Sequence, residues 1–173
     1  MGKAKPIISL LERDGRSAEV CNVVAREVTE KPELFPELAF GLWHVEAGVR
    51  SRAADAIEKV TANRPELLQP FKNEVLGLLP EAWPAAVRWH LAQMVPRLDL
   101  NSSERTHAMQ LMEGYLGDES SIVRAFAMTS LAQLAAACDR DVRAQVTKKI
   151  RRMEKTGTPA VKARARKILA GAV

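Results

Sequence analysis

Residues 120–135 read SSIVRAFAMTSLAQLA, and the fold is decided by how this stretch is understood. Val123, Ala127, Ser130, Leu131 and Leu134 stand at spacings of four, seven, eight and eleven, which puts them on one face of an α-helix. Small residues at Ala127 and Ser130 leave room for a neighbouring helix to come close. Alone, such a helix has no partner for its apolar face.

The partner is supplied by repetition. The dipeptide Val-Arg/Lys recurs at Val49-Arg50, Val87-Arg88, Val123-Arg124 and Val161-Lys162, at separations of 38, 36 and 38 residues. The same apolar or small positions follow it: Ala53, Ala56, Ile57 and Val60; Leu91, Met94, Val95 and Leu98; and, before the end, Ala165, Ile168 and Leu169. Between the phrases lie further helical patterns, carried by Leu67, Leu68, Phe71, Val75 and Leu79, by Ala108, Leu111, Met112 and Tyr115, and by Val142, Val146, Ile150 and Met153. Asn63 with Pro65, Pro80 with Pro84, Asn101-Ser102-Ser103, Gly117-Asp118 and Gly157 with Pro159 separate them as turn and breaker residues. Upstream, KPELF at 31–35 echoes RPELL at 64–68, and Arg16-Ser17 stands in the Val-Arg position of a diverged first unit. No alternation of period two occurs. The pattern predicts an all-α stack of about four and a half antiparallel helix pairs, with repeats near 16–46, 47–80, 84–117, 120–156 and 159–173 in one domain over 1–173. A folded four-helix bundle is the alternative, which the regular spacing disfavours.

Composition agrees with a water-exposed globular chain. Of 173 residues, 47% are hydrophobic and 27% charged, enough apolar material for a continuous core. No apolar run approaches the roughly 20 residues that cross a bilayer. MGKAKPIISLLERDG lacks the form of a secretory signal, and Pro6 spoils a myristoylation pattern. Cys21 and Cys138 each sit in an apolar helical pattern, which suggests buried free thiols and a cytoplasmic location.

The phrase Asp118, Val123-Arg124, Ala127, Leu131, Leu134 resembles the HEAT and HEAT-like repeat family, whose units carry an acidic turn residue, Val-Arg, and then spaced Ala and Leu. Val87-Arg88 with Leu91, Val95 and Leu98 is similar, with Glu81 as a more distant acidic residue. The resemblance runs from about residue 16 to 171. It implies a right-handed α-solenoid in which Arg88 and Arg124 bond an acidic residue of an adjacent turn, as Asp118 would be, and so hold the stack in register. It says little about function, because such folds host scaffolds, nucleic-acid binders and a few enzymes.

Enzyme signatures are missing from the sequence. The iron-dependent hydroxylases that resemble this fold carry repeated His-Glu pairs, whereas His44, His90 and His107 are followed by Val45, Leu91 and Ala108. His44 and Glu46 are two apart and point to different helix faces, so no metal is expected there. His90 is expected to be a partly buried structural residue. HEAT-like DNA glycosylases place Trp, Asp and Arg near a lesion. Here Trp43 follows the apolar stripe of Leu34, Phe35, Leu38 and Leu42 as a core residue, and Trp83 falls in a proline-rich turn. No phosphate loop, nucleophile elbow or zinc-spaced cysteine pair occurs. No cofactor is expected.

Charge is unevenly spread. Residues 140–173 hold eleven Lys and Arg against Asp141 and Glu154, while the rest of the chain holds 15 basic and 19 acidic residues. On the helix that Val142, Val146, Ile150 and Met153 define, Lys148, Arg151 and Lys155 lie opposite the buried stripe, and Lys149 and Arg152 flank it. If the second helix of each pair lines the concave surface, these five cations face the groove. The expectation is a non-enzymatic scaffold binding an acidic protein or peptide through that face. A nucleic-acid binder related to the glycosylases is the alternative, weakened because no aromatic residues interleave with the cations. Nothing in the residues supports a third class, a lyase or chaperone for a chromophore-bearing protein. No membrane contact is expected, and the oligomeric state stays open.

Overall fold

Proline, glycine and capping residues decide where the helices begin and end. The computed structural model describes residues 6–13 and 17–171, so Arg16 and the segment of the myristoylation question around residue 2 lie outside the described residues. Among the described residues there are ten α-helices, five short 3-10 segments and no strand. The chain is all-α. It divides into two compact units at Leu98 and Asp99.

The first unit contains α1 (Ile7–Leu11), α2 (Ser17–Glu30), α3 (Phe35–Phe40), α4 (Ala47–Asn63), α5 (Lys72–Leu78) and α6 (Ala85–Met94). α4 lies between α2 and α6 and packs along both, while α1 and α3 also pack against α4. The face turned to these neighbours is the stripe read from the sequence. Val49, Ala53, Ala56, Ile57 and Val60 are at most 1% exposed, and full burial of a Val or Ile contributes roughly 1.5–3 kcal/mol. The alanines serve by being small, which lets the backbones approach.

The second helix of this unit departs from expectation. The pattern over 67–79 predicts one helix, but Pro65–Phe71 is a 3-10 segment that precedes α5, and Leu79–Glu81 is another. Pro70 lacks the N–H an α-helix needs there, and its ring collides with the preceding turn. Pro32 and Pro96 likewise lie in 3-10 segments, at Pro32–Leu34 and Val95–Arg97.

The second unit contains α7 (Ser102–Tyr115), α8 (Ser121–Ala135), α9 (Arg140–Thr156) and α10 (Pro159–Leu169). α8 packs against α7, α9 and α10, and α9 also packs against α10. The starts are well specified. Asn101 and Glu104 form a reciprocal capping box on α7, Ser120 caps α8, Asp139 caps α9, and Pro159 opens α10. Val123, Ala127, Met128, Leu131, Ile150, Val161 and Ala165 form the core, each at most 2% exposed.

One device recurs at the repeat arginines. Arg50 donates to the main-chain oxygen of His44, Arg88 to that of Ala82 and Arg124 to that of Asp118, six residues upstream in every case. Arg50 and Arg124 also reach the next carbonyls, of Val45 (2.9 Å) and Glu119 (3.2 Å). The guanidinium thus ties down the turn that leads into its own helix, satisfying carbonyls that no helix bonds. The Asp118 carboxylate accepts from the Ser120 N–H at 2.8 Å, so it shapes the same turn. The fourth repeat has Lys162, which has no such fork.

Candidate binding grooves

α9 presents its basic residues as a consequence of its burial pattern. Val146 and Ile150 face the core, and Lys148, Arg151, Arg152 and Lys155 are exposed. Lys149 is half-buried and forms an ion pair with Glu113 of α7, and Glu154 pairs with Arg166 at 3.7 Å. Among the described residues, Lys148, Arg151, Arg152 and Lys155 keep cationic groups with no hydrogen bond or ion pair. In this unit α9 packs along α10, which also packs along α8.

Two of the five cations instead border a groove at the loop end of the unit. Its volume is about 480 Å3, and Gly117, Arg124, Lys149, Arg152, Thr156 and Thr158 contribute to its walls. Arg124 is committed to turn carbonyls and Lys149 to Glu113, so Arg152 is the cation free to meet a ligand there. Arg151 turns the other way, with Arg143, onto a smaller groove of about 280 Å3 walled by Val146, Ile150, Ile168 and Leu169. Lys148 and Lys155 open to solvent between the two.

The first unit has a groove at the matching place in its repeats. It measures about 520 Å3 and is bordered by Trp43, Arg50, Glu74, Gly77, Glu81 and Trp83. Trp43 answers to Gly117, Arg50 to Arg124, Glu74 to Lys149, Gly77 to Arg152, Glu81 to Thr156 and Trp83 to Gly157, each pair 74 or 75 residues apart, which is two repeats. The scaffold is shared and the chemistry is opposite. Trp43 is 45% and Trp83 60% exposed, which corrects the expectation that Trp43 belongs to the core. α3 stops at Phe40, and the 3-10 turn Gly41–Trp43 rotates the ring off the stripe that buries Phe35, Leu38 and Leu42. The Arg50 guanidinium lies 5.2 Å from the centre of the Trp83 ring, and its Nε donates to the Trp83 carbonyl at 2.9 Å. Glu74 and Glu81 have no hydrogen bond or ion pair among the described residues. Sequence reading missed this groove; the signal was two tryptophans at repeat positions that elsewhere carry Gly117 and Gly157.

A buried polar cluster also lies within the first unit. Asp55 of α4 pairs with Lys59 at 3.0 Å and lies 4.0 Å from His90 Nε2 of α6. The Cys21 thiol donates to the Arg52 carbonyl at 3.5 Å. Burial pushes Cys21 up to about 12, reinforced by Asp55, so at neutral pH it is a protonated and poor nucleophile. Burial likewise holds His90 down at about 4, against the pull of Asp55. Its Nδ1 has no hydrogen-bond partner. Cys21 and His90 are thus uncharged at neutral pH, beside the part-exposed Asp55–Lys59 ion pair. His44 accepts from the Glu46 N–H at Nδ1 (3.2 Å) and meets Glu12 at Nε2 (3.4 Å), and His107 is exposed on α7. Among the described residues no three His, Cys, Asp or Glu gather as a metal site, and no helix is long and apolar enough to cross a membrane.

No protein-family model matches the chain, and no match is found to curated proteins or to solved structures.

Proposed function

We propose that the chain is a HEAT-like α-solenoid scaffold that binds an acidic protein segment through α9 and the groove beside it. The observation that carries this reading is the set of four exposed, unpartnered cations, Lys148, Arg151, Arg152 and Lys155, on one helix, with Arg152 set at the mouth of a groove. Solenoids expose rigid surfaces suited to such docking. A free cation on a preformed surface attracts an anionic partner over about a Debye length and costs little rearrangement. The docking surface is the solvent-exposed face of α9 together with the groove that Arg152 borders.

The experiment is binding of a labelled oligoglutamate peptide and of labelled duplex and single-stranded DNA and RNA, each followed across a salt series. Oligoglutamate binding that weakens with salt and is lost in K148A/R151A/R152A/K155A supports the reading. If the fourfold variant retains the affinity and the salt slope, the basic face is only a solvated surface. Tight, salt-steep nucleic-acid binding that exceeds peptide binding replaces the proposal by the nucleic-acid alternative.

A further inference from the structure

We propose a second site of opposite polarity: the groove of Trp43 and Trp83 docks an extended, arginine-bearing segment of a partner protein. Four features of the groove choose this occupant. Trp83 already holds one guanidinium, that of Arg50, at 5.2 Å, and most of its ring is still exposed. Indole is the best aromatic platform for a cation, and a planar guanidinium both stacks on it and forks onto a carboxylate.

Glu74 and Glu81 then provide the counter-charge. Both are exposed and neither has a partner among the described residues. Seven residues apart along α5 and its 3-10 extension, they are separated by roughly 10 Å. That distance is too long for one guanidinium to bridge and matches two side chains three residues apart along an extended polyproline II segment, which rises ~3.1 Å per residue and returns to the same face every third residue. Phosphate backbones are disfavoured by the same two carboxylates, so the tryptophans are not a base-stacking platform here.

Gly77 keeps the groove open. A Cβ built at Gly77 meets nothing within 4 Å, and the corresponding position of the other groove is filled by Arg152. The repeat geometry makes the groove in both units, and the residues placed on it set the ligand: Lys149 and Arg152 in one, Glu74 and an empty floor in the other.

The test uses the full chain and a fluorescein-labelled Gly-Ser peptide carrying two arginines three residues apart, read by anisotropy, with the citrulline peptide as the neutral isostere. Saturable binding of the arginine peptide is expected, with the citrulline peptide roughly tenfold weaker or worse. E74Q/E81Q should weaken binding by a similar factor. Gly77→Arg, which enters open space and so does not threaten folding, should block the groove with its own guanidinium. Equal binding of the citrulline peptide, unchanged affinity in both variants, or no saturation by about 1 mM peptide overturns the proposal. So does sedimentation showing that the chain dimerises and that E74Q/E81Q abolishes the dimer, because the occupant would then be a second copy. Because Lys148, Arg151, Arg152 and Lys155 are not part of this groove, failure here leaves the acidic-segment reading standing, and the reverse also holds.

Discussion

At the scale of single residues, the buried polar groups have the clearest consequences. His90 is 4% exposed and its pKa is lowered from 6.5 to about 4, first by burial. Between those two values the unfolded chain binds a proton that the folded chain refuses, so stability falls as pH falls, by roughly 3 kcal/mol across the window. Denaturant titrations at pH 7 and pH 5 should show about 2 kcal/mol of this loss in the parent chain and a smaller one in His90→Leu; parallel losses would mean that carboxylates, not His90, set the acid limb. Cys21 behaves in the opposite sense. Its thiol is raised from 9.0 to about 12, so that stability is fully present below about pH 9 and is lost as pH rises towards 12, and a thiol reagent near pH 8 should modify Cys21 only on unfolding. Ser130, 1% exposed with an unpartnered hydroxyl, costs desolvation without a compensating bond. Ser130→Ala should be neutral or stabilising by about 1 kcal/mol, measured by chemical denaturation.

At the scale of elements, glycine tests the same geometry from two directions. A Cβ at Gly157, between α9 and α10, would lie 2.5 Å from Val161 Cγ1 and 2.7 Å from the Met153 carbonyl, so Gly157→Ala should destabilise by about 1–3 kcal/mol. Gly77 has open space and stands inside α5, so Gly77→Ala should instead stabilise by about 0.5–1 kcal/mol. A thermal melt of each variant checks the pair, and a common sign would refute the packing described for the turn. The repeat arginine is a turn anchor, and Arg124→Ala should cost about 1–3 kcal/mol, with Arg124→Lys recovering little because an ammonium cannot span two carbonyls. The sequence made the Val-Arg helices legible because Ala53, Ile57 and Val60, or Ala127, Leu131 and Leu134, keep strict helical periodicity. It foretold less well the helix over 67–79 and the end of the Val87-Arg88 helix, since Pro70 and Pro96 act through the backbone and leave the apolar pattern intact. Trp43 was misread for the same reason: a switch to 3-10 geometry at Gly41 changes the angle per residue without changing residue type.

At the scale of the whole molecule, charge and repetition have to be read together. Residues 140–173 carry more than the whole positive excess, since the rest of the chain is net acidic, and that much was legible by counting. Which cations are free was not, because the partners Glu113 of Lys149 and the turn carbonyls of Arg124 lie far along the chain or in the backbone. A net charge of +5 is therefore a poor guide to what the surface attracts; a patch of uncompensated cations acts within a Debye length, whatever the remainder of the chain carries. Two fourfold variants separate these ideas. K148A/R151A/R152A/K155A and R13A/R26A/K31A/R64A each remove four of the 26 basic residues and change the net charge equally. On a heparin column the first should elute at much lower salt than the parent, and the second close to it. The reason is that the four on α9 are gathered on one helix and face solvent alone, whereas Arg13, Arg26, Lys31 and Arg64 are spread over several segments and two of them, Lys31 and Arg64, are already paired with Glu27 and Glu66. Equal shifts would mean that retention follows net charge and that α9 offers no local surface for an anionic partner.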